Sequence, residues 1–428
     1  MAWQSPIAPG VSWYQDTVAE RPTYPAMDGS RTADVAIIGG GFTGLQAAYT
    51  LARAGISVTL IETHRFGDGA SGRNGGQFGT GQRAWPDELE EKIGFERSKA
   101  LFDLAENAKH YVLDFARDNQ IDMEFLPGQL NVSHKRAYEK SYRDSVDAMT
   151  GRYGYKQIAF MEKAETADRL GSSHYHCGVR DTGTGHIHPL KLLVGLARAA
   201  KAAGADIFEM TPATAIRQSG GKTLIETHTG TITATRVLIA TNAYIGNLEP
   251  VTAAHVMPIR SFIGATAPLD EFPSIIPDKE AVADSRFVVR YFRKTPDNRL
   301  LFGGREAYTA DSPRDISKHI RKQIAEIYPA LGNVEMTHAW GGSVGITMTR
   351  QPFVREVMPG VLSIGGYSGH GVMLSNYCGK LYADMVINKD KALDQFAALD
   401  VPSFPGGASL RAPLLFLALT WYALRDRF

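Results

Sequence analysis

The segment Asp34-Val-Ala-Ile-Ile-Gly-Gly-Gly-Phe-Thr-Gly44, with an acid following at Glu62, most constrains what this chain can fold into. Residues 35–38 read as a buried parallel strand, 45–54 as a helix and 57–61 as the second strand of a βαβ unit. Gly39 permits the tight turn, Gly41 has no Cβ to block a pyrophosphate, and Gly44 lets helix and strand pack closely. The amides at the start of that helix, around Phe42 and Thr43, point at phosphate, and the helix dipole favours its charge. Glu62 is positioned to accept ribose hydroxyls. A bare glycine triplet would suit any βαβ turn, but strand, turn, helix, strand and acid in that order predict a dinucleotide site.

The 428 residues, 44% of them hydrophobic, can supply two domains with a core each. With 46 basic and 45 acidic residues the net charge is +1, which leaves no electrostatic footprint for nucleic acid. The two cysteines, Cys177 and Cys378, do not make a disulfide framework and suggest a reducing compartment. The first residues lack a basic and an apolar region of secretory type, so the expectation is a cytoplasmic protein. The apolar run 413–424, flanked by Arg411, Arg425 and Arg427, is about half as long as a membrane span requires. It is expected to be a terminal helix docked on the core or on a second subunit. The alternative is a weak interfacial contact with a membrane.

A second glycine-rich segment, Gly67-Asp-Gly-Ala-Ser-Gly-Arg-Asn-Gly-Gly-Gln-Phe-Gly-Thr-Gly81, follows at once and suggests close backbone approach to a ligand. Residues 87–119 are helical by pattern and read as an excursion out of the nucleotide domain. After Gly185-His-Ile-His-Pro189 come a helix over 190–203 and strands over 206–209, 224–228 and 231–235. The run 236–242 reads as a further buried strand returning to the first sheet. Residues 253–309 look antiparallel, with strands over 256–268, 286–293 and 299–304 and a turn at 295–298. Ser363-Ile-Gly-Gly-Tyr-Ser-Gly-His-Gly-Val-Met-Leu374 is again strand, glycine turn, helix.

Together these motifs resemble the flavin-dependent amine and amino-acid oxidases, the family of D-amino-acid oxidase, glycine oxidase and monomeric sarcosine oxidase. The resemblance spans nearly the whole chain. It rests on the first glycine motif with Glu62, on Gly69-Ala-Ser-Gly-Arg-Asn-Gly-Gly76, on Gly185 to Pro189, on Ala240-Thr-Asn-Ala-Tyr244, on Trp340-Gly-Gly342 and on Gly366 to Gly371. Within the family the chain looks most like the γ-glutamylputrescine oxidoreductases. The resemblance implies an α/β (α+β) fold: a discontinuous, doubly wound, Rossmann-like FAD-binding domain over 30–85, 155–252 and 336–395. A substrate domain with an antiparallel sheet would take 86–154 and 253–335, and the tail helix 396–428. The implied cofactor is FAD, held by Gly39, Gly41, Phe42, Thr43, Gly44, Glu62, Ser71, Gly72, Arg73, Asn74, Gly75, Gly76, Thr241, Gly366, Gly369, His370, Gly371 and Val372. It is expected to be noncovalent, because the first flavin loop offers Arg73-Asn74 and no histidine.

A flavin held along its length needs close backbone contact at the far ring system, which the loop 70–76 and the turn 365–371 can supply. The helix beginning near Val372 would aim its positive end at the ring edge where charge develops on reduction. The implied reaction passes hydride from a carbon beside the substrate nitrogen to the flavin, with molecular oxygen as the electron acceptor. It needs a neutral amine, and deprotonating an alkylamine at pH 7 costs about 4 to 5 kcal/mol, a cost that a desolvated aromatic pocket lowers. Phe262, Tyr291, Phe292, Tyr308, Trp340 and Tyr367 are candidate walls. Arg73, Arg260, Arg290, Arg293, Arg305 and Arg350 are candidate partners for a substrate carboxylate. Trp340, Arg73, Arg305, Tyr291 and Tyr367 are the candidates for contact with the reacting groups. The cluster His174, His176, Cys177, His186 and His188 has no metal-ligand spacing, and no metal is expected. A secondary amine or small amino acid is the alternative substrate, and a nucleotide-binding or RNA-modification subunit the alternative role.

Overall fold

A computed structural model describes residues 5–307 and 315–407, with residues 305–307 as backbone alone. Its two sheets are built from interleaved stretches of chain. The first has the strand order Phe353–Met358, Val361–Gly365, Thr231–Ile239, Arg31–Ile38, Val58–Ile61, Asp206–Phe208. All neighbours pair in parallel except the Phe353–Met358 edge, which is antiparallel to Val361–Gly365. Such a sheet is buried on both faces, and strand alternation divides its side chains between two cores. Val35 and Ile37 join one core with the helices Phe42–Arg53, Pro189–Ala202 and Gly371–Asn388. Ala36 and Ile38 join the other, beneath the hairpin of Ala213–Ser219 and Lys222–Thr227 and the short helix Pro250–His255.

The second sheet has the order Met336–Ile346, Met257–Pro268, Arg299–Ala307, Tyr291–Lys294, Ala281–Asp284, Leu126–Ser133, Cys177–His186, Gln77–Phe78, with Ile158–Met161 also paired to Cys177–His186. Only Ala281–Asp284 with Leu126–Ser133 is parallel among these pairs. The amphipathic helix Ile316–Ile327 covers one face through Ile320, Ile324 and Ile327, which pack with Phe292 and Phe302.

Several sequence-derived boundaries shift. Ile158–Met161, Cys177–His186 and Met336–Ile346 belong to the second sheet and not, as expected from 155–252 and 336–395, to the nucleotide half. A strand's period tells which side chains face in, not which distant strand it will pair with. The helical region 87–119 is two helices, Pro86–Ile93 and Phe95–Asp118, parted at Gly94 with φ +81°. Far from leaving the nucleotide half, Phe95–Asp118 lays Leu101, Leu104, Ala105 and Ala108 into the core shared with Gly371–Asn388. The strands expected at 231–235 and 236–242 are one, Thr231–Ile239, whose first half meets the hairpin and whose second half meets Val361–Gly365. The strand expected at 286–293 is confined to Tyr291–Lys294. The tail run 413–424 lies outside the described residues. Among those described, no helix is long and apolar enough to cross a membrane.

Candidate functional site

Parallel pairing brings four strand ends of the first sheet to one edge. Gly39 follows Ile38, Glu62 follows Ile61, Thr241 lies just past Ile239, and Gly366 follows Gly365. A crevice at the carboxyl ends of parallel strands is where open α/β sheets bind ligands. Gly39 has φ +109°, and a Cβ there would lie 2.7 Å from the Ala240 carbonyl oxygen. A Cβ on Gly44 would lie 1.9 Å from the Gly39 carbonyl oxygen, so the helix Phe42–Arg53 can approach its strand only with glycine there. Gly41 caps that helix with extended backbone, and a Cβ on it would sit 2.9 Å from Ser71 Oγ.

Glu62 accepts from the Gly40 amide (2.8 Å) and the His64 amide (3.0 Å), which fixes the carboxylate beside the glycine turn. Burial raises its pKa while both amides oppose the shift. Ser71 Oγ accepts from the Phe42 amide at 3.1 Å, joining the second glycine loop to the first. Asn74 closes that loop, donating to the carbonyls of Ala70 and Ser71 and accepting from the Gly76 amide. Gly72 and Gly76 are required by close approach: a Cβ would fall 2.3 Å from the Gly67 carbonyl oxygen and 2.2 Å from that of Ile187. At the far turn the Gly366 amide donates to Asn242 Oδ1 (2.8 Å), and Gly369, at φ +89°, faces open space. His370, Gly371 and Val372 begin the 18-residue helix Gly371–Asn388. Burial pushes the His370 imidazole down to about 4, so it is neutral at pH 7.

These residues fit a dinucleotide. The helix starting at Phe42 presents amides that no helical carbonyl can satisfy. Thr241 Oγ1 is buried at the same edge without a hydrogen-bond partner among the described residues, and the glycines let the first turn, its helix and the second loop pack closely around that edge.

The candidates for substrate contact fare differently. The Arg73 side chain is buried, and its guanidinium is spent on protein groups: Nε donates to the Gly341 carbonyl (2.7 Å), Nη2 to those of Pro9 and Gly10 (2.7 and 2.8 Å), and Nη1 to Gln15 Oε1 (3.1 Å). Burial lowers its pKa to about 10, which still leaves it charged. Trp340 is fully buried, its Nε1 donating to the Arg73 carbonyl (3.0 Å) and its ring edge-on to Tyr14. Tyr367 shares a 2.7 Å hydrogen bond with Thr43 Oγ1, so that pair ties the last glycine turn to the first helix. Phe292 stacks on Phe302 in the second core, and Phe262 is fully buried. Arg293 is buried and donates to the carbonyls of Gly75 and Ile187 and to the Tyr14 hydroxyl, while Arg290 pairs with Glu326 at 2.5 Å. The Arg350 guanidinium lies 5.5 Å from the Phe287 ring centre. The Arg305 side chain and Tyr308 lie outside the described residues.

Of the four whose side chains are described, Tyr291 alone keeps a half-buried place, beside the second glycine loop. A Cβ on Gly75 would be 2.6 Å from its ring and one on Gly303 2.2 Å, and its hydroxyl lies 3.3 Å from Ser261 Oγ. Ser261, Tyr291 and Gly342 share one sheet face, pairing through Gly303 and Ile263, and all three are half-buried, Ser261 and Tyr291 on interior strands and Gly342 on the edge strand Met336–Ile346. Sequence reasoning missed Asn242, at φ +47°, and Gly40, whose Cβ would strike the Phe66 ring at 2.2 Å. The Thr241-Asn242 pair directly after a buried strand was the available signal. His186 and His188 are structural: His186 Nε2 is 2.7 Å from the Lys279 carbonyl oxygen, and His188 caps the helix Pro189–Ala202.

Comparison with known proteins agrees with this geometry. The profile of the DAO family, described as FAD dependent oxidoreductase, matches residues 34–385. The chain is 69% identical over 428 residues, the full length of both, to the probable oxidoreductase OrdL of Rhizobium meliloti. It is 32% identical to the γ-glutamylputrescine oxidoreductase of Escherichia coli, with 97% of this chain and 98% of that protein covered. The crystal structure of glycine oxidase from Geobacillus kaustophilus superposes with a TM-score of 0.71 at 23% identity, covering 84% of this chain and 96% of the other.

Proposed function

Because this chain belongs to the DAO family of FAD-dependent oxidoreductases, we propose that it oxidises the terminal primary amine of γ-glutamylputrescine, or of a similar N-acylated diamine. The products would be an aldehyde, ammonia and hydrogen peroxide, with oxygen as the acceptor and the cytoplasm as the place of action. The observation that carries this reading is the end-to-end likeness to the E. coli γ-glutamylputrescine oxidoreductase.

The pyrophosphate would lie on the amides at the start of the Phe42 helix, the ribose on Glu62, and the ring system between the loop 70–76 and the turn 366–372. Bound FAD supplies a two-electron acceptor for the hydride leaving the carbon next to the amine. The protein's part is to place and desolvate that amine. The half-buried face of Ser261, Tyr291 and Gly342 is where we place that amine, and its partial dryness disfavours ammonium over the neutral amine that can react. The positive end of the helix Gly371–Asn388 stabilises negative charge developing beside it. Arg73 and Arg293 are committed to backbone carbonyls and are not available to the glutamyl carboxylate. A noncovalent cofactor is supported by Cys378, fully buried and with its thiol pushed up to about 12, which leaves no thiolate to tether a flavin.

Anaerobic mixing of the purified flavoprotein with each amine at equal concentration tests this. Bleaching of the flavin should be much faster with γ-glutamylputrescine than with putrescine, sarcosine or glycine. Faster bleaching by sarcosine or glycine would move the assignment to a small secondary amine or amino acid.

A further inference from the structure

Lys109 is a buried cation that the proposed chemistry does not use. It lies on the helix Phe95–Asp118 at 2% exposure. Its Nζ donates to Thr80 Oγ1 (2.7 Å), the Gly183 carbonyl (2.9 Å) and the Tyr155 hydroxyl (3.3 Å), and it pairs with Glu106 Oε2 (2.9 Å). The Tyr155 hydroxyl in turn donates to Asp181 Oδ1 (2.5 Å), which also accepts from the Gly183 amide (2.9 Å). Burial raises the pKa of both Glu106 and Asp181, and Lys109 opposes the rise in each. Taking such charges out of water costs several kcal/mol that pairing only partly returns. Helix packing alone would be served at less cost by another leucine, as at Leu101 and Leu104 on the same helix.

The network spans four separate stretches of chain, and Thr80 is the one that leads to the candidate site. Thr80 follows the strand Gln77–Phe78, which continues the flavin loop. A Cβ on its neighbour Gly79 would lie 2.5 Å from His370 Cε1 and 3.2 Å from its Nε2, and the backbone of Thr80 and Gly81 opposes the downward shift of the imidazole's pKa. The backbone of 79–81 is therefore the wall against which His370 rests, and Lys109 anchors that wall.

We propose that Lys109 is a positioning residue: by clamping Thr80 it fixes the segment 79–81 and thereby the place of the His370 imidazole at the start of the helix Gly371–Asn388. The proposal rests on the reading that the flavin ring lies at that turn. No contact of Lys109 with substrate or cofactor is implied.

The test is a double-mutant cycle on the FAD-loaded protein, read as the reduction equilibrium of the bound flavin against a reference dye, with thermal unfolding alongside. Thr80→Val removes the hydroxyl that Lys109 holds while keeping its shape, and Lys109→Met removes the cation itself. Each, and His370→Asn, should displace the dye equilibrium. Pairing either with His370→Asn should displace it by less than the product of the single effects, by at least about twofold. Effects that multiply independently, or a lowered unfolding temperature with an unmoved equilibrium in Thr80→Val, would overturn the role of Lys109. An unmoved equilibrium in His370→Asn would instead overturn the placement of the flavin at this turn. Should Lys109→Met fail to fold, the Thr80→Val cycle decides alone.

Discussion

Arg73 and His188 show how far a side chain's partners, and not its type, set its role. An arginine in a glycine-rich loop invites a substrate carboxylate, yet Arg73 meets three carbonyls and an amide oxygen and acts as a clip between the loop, the N-terminal segment and the edge strand. His188 Nδ1 accepts from the Lys191 amide at 3.2 Å, which leaves its proton on Nε2, 3.0 Å from Thr17 Oγ1. Burial and the charges of Arg293 and Lys191 push its pKa down to about 3. A histidine neutral in the folded state and titrating normally when unfolded contributes stability present above its ordinary pKa and lost as pH falls towards the folded value. Unfolding free energy should thus decline from about pH 6.5 downward, by up to about 1.4 kcal/mol per pH unit from this group. His188→Asn keeps a capping acceptor that does not titrate, so its stability against pH, from denaturant melts, should fall less steeply by that amount.

Elements here are placed by glycines that local pattern does not flag. Gly379, midway along Gly371–Asn388, looks like an unfavourable helix residue, and replacing it by alanine should help an isolated helix. In the protein a Cβ there would lie 2.3 Å from the Thr43 carbonyl oxygen and 3.0 Å from the Ala47 amide, because this helix crosses Phe42–Arg53 at that point. Gly379→Ala should therefore destabilise by about 1–3 kcal/mol and weaken FAD retention, since the crossing also carries the Thr43–Tyr367 bond. Gly151, at the end of Glu139–Gly151, has nothing within 4 Å of its Cβ position. Gly151→Ala serves as the control and should be neutral or stabilising in the same melts. Both crossing helices were legible in the residues from the glycine turns that precede them; the crossing was not, because it joins positions more than 300 residues apart.

At the scale of the molecule the chain passes repeatedly between its sheets, from Val58–Ile61 to Gln77–Phe78, from Cys177–His186 to Asp206–Phe208, and from Met336–Ile346 to Phe353–Met358. Neither sheet can be completed without segments on both sides of the other. Heating should give one transition, coincident by calorimetry and by far- and near-ultraviolet circular dichroism, and FAD at a hundred times its dissociation constant should add about 2.7 kcal/mol to it. Two separated transitions would show that the halves fold independently. What the sequence determined is the local chemistry of the first sheet. Gly39, Gly41, Gly44 and Glu62 fix a turn, a helix start and a strand end within about thirty residues, where spacing alone carries the geometry. The hairpin turn at 295–298 is equally local, closed by Thr295 and Arg299. Only the tertiary structure decided which sheet Cys177–His186 and Met336–Ile346 would join. Only it consumed Arg73, Trp340 and Tyr367 in the interior, left Tyr291 beside the second glycine loop, and gathered Lys109, Thr80, Tyr155 and Asp181 into one network. Strand pairing and hydrogen-bond satisfaction between distant segments depend on the whole packed arrangement, and a residue's neighbours in sequence do not specify them.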